Sequence, residues 1–420
     1  MKKIALLFPG QGSQYVGMAK NLCDLYTEAR EIFQEANETL GFDLKKLCFE
    51  GSMEELTKTE NTQPALLTAS VAAFRVYMKE IGIEPEFAAG HSLGEFSALC
   101  CAGGINFSDA VRIVRQRGKF MQEAVPVGLG GMAAVSGVDK SVIEDVCVRA
   151  SINGKTVVVS NYNSPDQIVI SGHSEAVKEA GEKLTSLGAR IIPLKVSAPF
   201  HSPLMKPAAE KLMEEMGKYS YNELKFPVVS NVTAMPYPGS VSIIEYLSKQ
   251  IVQPVRWQPS MEFVQKQGVE LAIELGPQTV LRNLMKKNAP GIKTFSYDVD
   301  SDVQAAKKLL SSDGSGVEDI KQGMSVITKC IATAVSTKNS NWDEQEYQKG
   351  VVEPYRKMTN LRDELEKEGR QPTIEEVREA LDMLKNVLNT KKVPASEQME
   401  RLNKILETTG TKDLFKDYTA

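Results

Sequence analysis

The stretch PEFAAGHSLGEFSAL, residues 85–99, has at its centre a Gly-x-Ser-x-Gly pentapeptide, residues 90–94. An apolar strand pattern precedes it and a helical pattern follows it, which is the context of a nucleophile elbow. In such an elbow the serine sits on a sharp strand-to-helix turn, and the helix N-terminus directs free N–H groups at an oxyanion. The pattern therefore makes Ser92 a candidate nucleophile. A second interpretation stays open, because Ser92 and Glu95 also fit a helix capping box.

The same order of strand, glycine turn and helix recurs along the first 300 residues, for example at residues 3–8 and 271–275. This order is typical of an open α/β sheet, whose ligands bind at the carboxyl ends of the strands. Residues 127–196 differ, because their segments follow one another in the order β-α-β-β-α-β. That order predicts a small inserted subdomain of the ferredoxin-like kind.

Beyond residue 305 the pattern changes again. The segment SSDGSG, residues 311–316, has the composition of a linker, and the residues after it are rich in charge without a strand pattern. Thr373 and Glu376 form a predicted capping box, and another helix is predicted to begin near Pro394. Two interpretations of this region stay open: a helical appendage that packs on the core or on its own copy, and a docking element for a partner protein.

Composition argues against several classes of function. The 420-residue chain has a formal net charge of −4, whereas non-specific binding to nucleic acid or anionic membranes needs a basic excess. No apolar run reaches the roughly 20 residues of a membrane span, and the N-terminal run is shorter than a signal peptide needs. The six cysteines and three histidines offer no zinc-ligand spacing. We therefore expect no metal, and free thiols in a reducing cytoplasm.

Only three histidines could serve Ser92 as a base. His91 adjoins Ser92 on a tight turn, and its side chain should point away from the nucleophile. His173 lies at a strand-to-helix turn of the small subdomain, where a solvated or capping role is expected. Elimination favours His201, in the Pro-bracketed loop APFHSPLM. No acidic residue between Ser92 and His201 has a distinctive setting, so an acid-containing triad and a dyad held by a carbonyl are both allowed.

Two further segments could contribute to a site. FPGQGSQ, residues 8–14, lacks the spacing of a phosphate loop, and its alternative role is to present backbone N–H groups as the second half of an oxyanion hole. Arg115 and Arg117 lie on an amphipathic helix pattern. An arginine there is either a solvated flank or, if it faces the pocket, a bidentate clamp for a carboxylate.

Together, the segments PGQGSQ, GHSLGEFSAL, RGKFMQ, PFHSPLM, QPVRW and ELGPQTVL resemble, in order and spacing, the malonyl-CoA:acyl carrier protein transacylases and the related acyltransferase domains of polyketide synthases. The resemblance covers roughly residues 1–305. It implies an α/β fold with an α/β-hydrolase-like subdomain over residues 1–126 and 197–305. A ferredoxin-like subdomain, residues 127–196, interrupts it. The helical extension, residues 311–420, is outside the family's usual extent.

The resemblance also implies roles for individual residues. Ser92 would be the nucleophile and His201 the general base, with the backbone carbonyl of Gln250 orienting His201. The backbone N–H groups of Gln11 and Leu93 would form the oxyanion hole. The residues expected to bind substrate are Arg117, which would pair with the malonyl carboxylate, and Gln63, His91, Asn161, Phe200 and Asn231.

The implied reaction is a ping-pong transfer for fatty-acid or polyketide synthesis. Malonyl would pass from malonyl-CoA to Ser92 and then to the phosphopantetheine thiol of an acyl carrier protein, with no bound cofactor. Phe200 and Leu93 favour malonyl over methylmalonyl on steric grounds. A serine esterase or thioesterase and a non-catalytic scaffold are the rival interpretations.

The implied partner is an acidic carrier protein that binds transiently. Because the chain is slightly acidic overall, docking would need a local basic patch, for which Arg282, Lys286 and Lys287 are candidates. The helical extension is a candidate docking element for polyketide synthase modules.

Overall fold

The structure is a computed structural model that describes residues 2–126, 128–194, 196, 198–311 and 322–418. Contacts between residues divide the chain into two units, residues 1–307 and 308–420. Most of the predicted SSDGSG linker, from residue 312 onward, lies outside the described residues. So does Val127, the predicted first residue of the inserted subdomain.

Strand β1 (Ile4–Phe8) is the centre of a five-stranded sheet. All of its side chains are buried, as expected for a parallel strand covered on both faces. Its neighbours are β2 (Phe87–Gly90) and β8 (Leu271–Glu274), and with β7 (Val228–Val229) and β9 (Lys293–Ser296) the strand order is β7-β2-β1-β8-β9. Every pair in this sheet is parallel. The predicted α/β fold with a parallel sheet is confirmed.

Helices connect and cover the strands of the first unit. Within the described residues, no helix is both long enough and apolar enough to cross a membrane. The helices are α1 (Lys20–Leu25), α2 (Thr27–Leu40), α3 (Leu44–Glu50), α4 (Met53–Thr57), α5 (Thr59–Glu80), α6 (Leu93–Cys101), α7 (Phe107–Glu123), α8 (Lys140–Ala150), α9 (Ser174–Ser186), α10 (Lys206–Met216), α11 (Ile243–Val252), α12 (Trp257–Lys266), α13 (Val280–Asn288) and α14 (Asp300–Ser311).

A second, antiparallel sheet lies in the chain between α7 and α10. Its strands are β3 (Gly130–Ser136), β4 (Val157–Ser164), β5 (Gln167–His173) and β6 (Arg190–Pro193), in the order β4-β5-β3-β6. With α8 and α9 the element order is β-α-β-β-α-β. The large sheet is therefore built from two separate stretches of chain, because β7, β8 and β9 follow this insertion in sequence.

Residues 322–418, which make up most of the described part of the second unit, are helical with short connecting loops. It contains α15 (Gly323–Ser336), α16 (Glu344–Tyr347), a π-helical turn (Gln348–Val352), α17 (Glu353–Glu368), α18 (Ile374–Thr390) and α19 (Ala395–Thr408). The predicted capping box is present, because Thr373 and Glu376 exchange side-chain to backbone hydrogen bonds at the start of α18. Apolar residues of this region form a separate core, which includes Ile327, Met358, Leu381, Leu384 and Leu402 from the helices and Phe415 from the segment after α19.

Candidate active site

Ser92 lies on the turn between β2 and α6, at the carboxyl end of a central strand of the parallel sheet. Its backbone has φ 51° and ψ −103°, a conformation that L-residues rarely adopt. A Cβ added to Gly90 would lie 1.9 Å from the carbonyl carbon of Gly94, and one added to Gly94 would lie 2.0 Å from the carbonyl oxygen of Phe8. The turn fits against β1 only with glycine at both positions, as the elbow motif requires.

The Ser92 side chain does not cap α6. It makes no hydrogen bond to a backbone N–H of that helix. Instead, its Oγ lies 2.8 Å from Nε2 of His201 and 3.2 Å from Nη2 of Arg117. Glu95, the other member of the predicted capping box, is fully buried and bonds to other groups. The capping-box interpretation is wrong, because both side chains are used in tertiary contacts.

His201 lies in the loop that leads from the inserted sheet to α10, and its side chain is buried. While Nε2 faces Ser92, Nδ1 lies 2.7 Å from the backbone carbonyl oxygen of Gln250. A carbonyl oxygen only accepts hydrogen bonds, so Nδ1 carries the hydrogen and Nε2 is left to accept from the serine hydroxyl. Among the described residues the third position is thus filled by a carbonyl, which is the dyad alternative.

The charge state of His201 suits a base. Burial and the positive charge of Arg117 lower the pKa of His201 to about 3, while the Gln250 carbonyl opposes the shift in part. The imidazole is therefore neutral at pH 7 and free to take a proton. The other two histidines differ: His91 lies against Asn163, with Nε2 2.8 Å from Oδ1, and His173 accepts a backbone hydrogen bond from Thr156.

Arg117 faces the reacting groups and Arg115 does not. The guanidinium of Arg117, on α7, is 2% exposed and donates from Nη2 to Ser92 Oγ and, at 2.9 Å, to Gln250 Oε1. Its Nε is buried without a hydrogen-bond partner among the described residues. Burial lowers the pKa of Arg117 to about 9, which still leaves it a cation at pH 7. Arg115 instead stacks on Phe42 and donates to Asn61.

Gln250, on α11, connects the groups around Ser92. Its backbone carbonyl binds His201, and its side-chain oxygen accepts from Arg117. Its side-chain nitrogen donates to the Ser92 carbonyl at 2.9 Å and to Glu95 Oε2 at 2.6 Å. One buried residue therefore fixes the positions of the serine, the histidine and the arginine relative to one another.

Ser92, Arg117 and His201 line a cavity of about 470 Å³, which lies between the two sheets. Eight of the predicted site residues line it, namely Gln11, His91, Ser92, Leu93, Arg117, Asn161, Phe200 and His201. The wall also contains residues that the sequence did not single out, including Met121, Met132, Asn163, Leu194, Val280 and Leu284. Gln11 and Leu93 line the cavity that also contains Ser92, and their backbone N–H groups donate to no acceptor among the described residues. Two backbone N–H groups of the cavity wall are therefore without an acceptor among the described residues.

Three predicted residues lie outside the cavity wall. Gln250 is behind it, as its expected role requires. Asn231 accepts from the Ser92 N–H and donates to the Gly90 carbonyl, both at 2.7 Å, so its amide is used in holding the elbow. Gln63, on α5, is fully buried beside Met121. The resemblance implies that Asn231 and Gln63 bind substrate, whereas the structure places both side chains behind the cavity wall.

The predicted basic patch on α13 is largely neutralised by neighbouring acids. Arg282 lies 3.1 Å from Asp302, and Lys287 forms an ion pair with Asp166. Lys286 donates to Asn283 and has no carboxylate partner within the described part of the chain. Of the three residues, Lys286 keeps an uncompensated charge. Across the described residues there is no cluster of three or more histidine, cysteine or acidic side chains that could hold a metal ion.

Comparison with known proteins gives a consistent result. The sequence profile of the acyl transferase domain family matches residues 5–304. A malonyl CoA-acyl carrier protein transacylase of Bacillus subtilis is 40% identical over 403 residues, which cover 96% of this chain and all of the relative. One from Salmonella typhimurium is 50% identical over 288 residues, or 68% of this chain and 93% of the relative. The Bacillus subtilis match must include most of residues 311–420, so that relative shares the extension.

Solved structures agree with these sequence matches. The malonyl CoA-acyl carrier protein transacylase of Coxiella burnetii has a TM-score of 0.72 and 41% identity, and the match covers 74% of this chain and 98% of that one. A malonyl-transacylase in complex with a type II polyketide synthase acyl-carrier protein has a TM-score of 0.71 and 42% identity, covering 73% of this chain and 99% of that one. The similarity extends to fold and sequence together.

Proposed function

The chain belongs to the acyl transferase domain family and, within it, to the malonyl-CoA:acyl carrier protein transacylases, and from this membership we propose how its residues carry out the reaction. The reaction moves malonyl from malonyl-CoA to the phosphopantetheine thiol of an acyl carrier protein, for fatty-acid or polyketide synthesis. The observation that carries the residue assignment is the contact of one serine oxygen with both a neutral imidazole and a buried guanidinium.

In the first half-reaction, Ser92 Oγ attacks the thioester carbonyl carbon while Nε2 of His201 takes the hydroxyl proton. The carbonyl oxygen becomes an oxyanion, which the N–H groups of Gln11 and Leu93 stabilise. When the C–S bond breaks, His201 returns the proton to the leaving sulfur. Coenzyme A departs as a thiol, and malonyl remains as an ester on Ser92.

The second half-reaction uses the same groups with the bond changes reversed, so that a thioester forms and the serine ester breaks. The phosphopantetheine thiol gives its proton to His201, and its sulfur attacks the malonyl ester. Ser92 then leaves with the proton from His201, and the carrier protein departs with a malonyl thioester. Through both halves the Gln250 carbonyl holds His201 in the tautomer that presents Nε2 to the serine. No cofactor enters this scheme, since the phosphopantetheine belongs to the carrier.

Arg117 supports the preference for an acyl group that ends in a carboxylate. Its guanidinium lies beside the nucleophile, and its Nε has no partner among the described residues. A planar donor fork of this kind binds a carboxylate through two parallel hydrogen bonds. Phe200 and Leu93 line the same cavity, which favours malonyl over a bulkier α-methyl derivative.

We further propose a division of the first unit into two subdomains. Residues 1–126 and 197–305 would form an α/β-hydrolase-like subdomain, and residues 127–196 a ferredoxin-like one. The strand order β4-β5-β3-β6 with the element order β-α-β-β-α-β supports the second assignment. Residues 311–420 would form the helical extension.

The partner is an acyl carrier protein, and Lys286 is our candidate for its docking contact. For the extension we propose recognition of polyketide synthase modules, because it has a core of its own and the catalytic groups all lie in the first unit. Deleting residues 311–420 tests this role. Transfer to polyketide carrier proteins should fall, while transfer to the fatty-acid carrier protein should not.

Mass spectrometry of the acylated enzyme tests the reaction itself. Incubation with malonyl-CoA should add one malonyl group, located on Ser92 by peptide mapping. Addition of a carrier protein bearing phosphopantetheine should remove that group, and the same carrier without phosphopantetheine should not. Ser92→Ala should remain unmodified. Release of malonate to water in place of transfer would identify an esterase.

A further inference from the structure

Glu95 is a buried acid close to the reacting groups that the transfer chemistry does not use. It lies on α6, one turn after Ser92, and is fully buried. One carboxylate oxygen accepts from the Tyr237 hydroxyl at 2.5 Å, and the other accepts from the Gln250 amide at 2.6 Å. A carboxylate removed from water is costly unless another charge compensates it. Its place in the fold therefore calls for a charged partner.

That partner is Arg117, reached through Gln250. Because Gln250 Nε2 donates to Glu95, its Oε1 points the other way and accepts from Arg117 at 2.9 Å. A guanidinium only donates and an ionised carboxylate only accepts, so this amide orientation satisfies both neighbours and the reverse satisfies neither. The negative charge of Glu95 also raises the pKa of Arg117, against the effect of burial.

We propose that Glu95 is the resident counterion of Arg117 and takes up a proton from solvent when the malonyl carboxylate binds the guanidinium. The proposal rests on the proposed function, in which that carboxylate pairs with Arg117. In the empty site, anionic Glu95 balances the buried cation. Once malonyl arrives, two anions share one buried cation, and Glu95 is the one that becomes neutral. The proton returns to solvent when malonyl leaves.

The groups around Glu95 allow both charge states. Tyr237, from the loop after β7, and Arg117, from α7, are the titratable groups that face it, and His201 reaches Gln250 from the other side as a neutral ring. Burial raises the pKa of Glu95 to about 7, and the hydrogen bonds from Tyr237 and Gln250 oppose that shift. A second anion beside Arg117 raises this pKa further, so binding is accompanied by proton uptake above pH 7.

Proton uptake during acylation tests the proposal. The full-length enzyme is mixed rapidly with malonyl-CoA in weakly buffered solution containing a pH indicator, and acetyl-CoA is used in parallel. Transfer of an acyl group to serine releases the coenzyme A thiol, which ionises in part at pH 8 to the same extent with either donor, so acetyl gives the baseline. At pH 8 we expect malonyl, measured against the acetyl baseline, to give an uptake approaching about one proton per malonyl group bound.

Variants identify the group that takes the proton. Glu95→Gln should acquire malonyl without uptake. Glu274→Gln is the matched control, because Glu274 is also fully buried with a pKa raised to about 7 but bonds to the first turn of α13. It should keep the uptake. Tyr237→Phe removes a hydrogen bond that favours the charged form, so the pH at which uptake is half-maximal should rise.

Each outcome of these experiments either supports or overturns the inference about Glu95. Wild-type enzyme that acquires malonyl without proton uptake overturns the inference, as does uptake that persists in Glu95→Gln or a midpoint that Tyr237→Phe leaves unmoved. Tyr237→Phe keeps the test available if Glu95→Gln does not fold. The mass of the acyl-enzyme is measured in the same samples. Failure of Ser92 to acquire malonyl would count against the proposed function instead.

Discussion

Ser92 and His201 are 109 positions apart in the sequence, yet their Oγ and Nε2 atoms lie 2.8 Å apart and both residues have positive φ, 51° and 57°. Non-glycine residues hold such conformations at a cost of about 1–3 kcal/mol each. The glycines of the elbow keep the two residues in place, together with the hydrogen bonds that Ser92 N–H donates to Asn231 Oδ1 and His201 Nδ1 donates to the Gln250 carbonyl. The proposed catalytic pair is therefore held under backbone strain.

The strain at Ser92 predicts a difference between two inactive variants. Ser92→Gly and Ser92→Ala both remove the hydroxyl, but only glycine relieves the positive φ. Relief of strain exceeds the greater chain entropy of unfolded glycine, so we expect the glycine variant to be more stable by about 1 kcal/mol. Urea unfolding of both proteins measures the difference. Equal stability would show that the turn is unstrained.

The low pKa of His201 predicts an unusual pH profile. An ordinary histidine, with a pKa near 6.5, is protonated and lost as a base below that pH. His201, with a pKa of about 3, stays neutral as the pH falls. The single-turnover rate of acylation by acetyl-CoA, which avoids the malonyl carboxylate, should therefore be level from pH 8 to 5.5. A rate that halves near pH 6.5 would contradict this.

The position of Arg117 predicts selective loss of malonyl transfer in Arg117→Ala. A charge-assisted, bidentate contact is lost, and we expect acylation by malonyl-CoA to fall by about 10²–10³ while acylation by acetyl-CoA changes less than about tenfold. Arg117→Lys keeps the charge without the planar fork and should be intermediate. Single-turnover rates with each donor provide the comparison. Equal losses with both donors would argue against a carboxylate clamp.

Phe200 predicts a change in donor specificity. Its ring lines the cavity beside His201, so Phe200→Ser should make room for an α-methyl group. We expect the ratio of methylmalonyl to malonyl transfer to rise by about tenfold, since one methyl group in a pocket is worth about 1–3 kcal/mol. Leu284→Ala, which enlarges the cavity on the side of α13, serves as the control. It should leave the ratio of methylmalonyl to malonyl transfer close to that of the wild type.

The uncompensated charge of Lys286 leads us to predict that the carrier protein docks beside it. Lys286→Glu should raise the KM for the carrier protein by about tenfold and reduce its dependence on salt, because a charge at the rim acts mainly on association. Lys287→Glu is the matched control, since Lys287 is already paired with Asp166. Steady-state transfer at two ionic strengths measures both effects. A larger effect at Lys287 would place the docking surface elsewhere.

The sequence predicted most accurately those features that depend on local pattern. The buried run at β1 and the strand-turn-helix order around Ser92 follow from residues close by in the chain, and the structure has both as expected. The short supply of histidines led to His201 without any knowledge of distance. Local sequence was sufficient to predict these features because few residues in the chain could have filled each role.

Features that depend on distant partners were predicted less well. Glu95 fits a capping box locally, but Tyr237 and Gln250 engage its carboxylate from positions more than 140 residues further along the chain. Asn231 likewise is expected to bind substrate, but its side-chain oxygen accepts a hydrogen bond from the backbone N–H of Ser92. The pairing of Arg282 and Lys287 with acids could not be read from charge clustering on one helix. In each case the decisive neighbour is brought in by the tertiary fold.

The central position of β1 has a consequence for biosynthesis. Of the strands of this sheet, β1 leaves the ribosome first, and β2 can cover one of its edges early. The other edge of β1 remains unpaired until β8, residues 271–274, has been synthesised, which happens after the whole inserted sheet. An apolar strand with an open edge is prone to pair with other chains. Nascent chains that stall within the insertion should therefore depend most on chaperones.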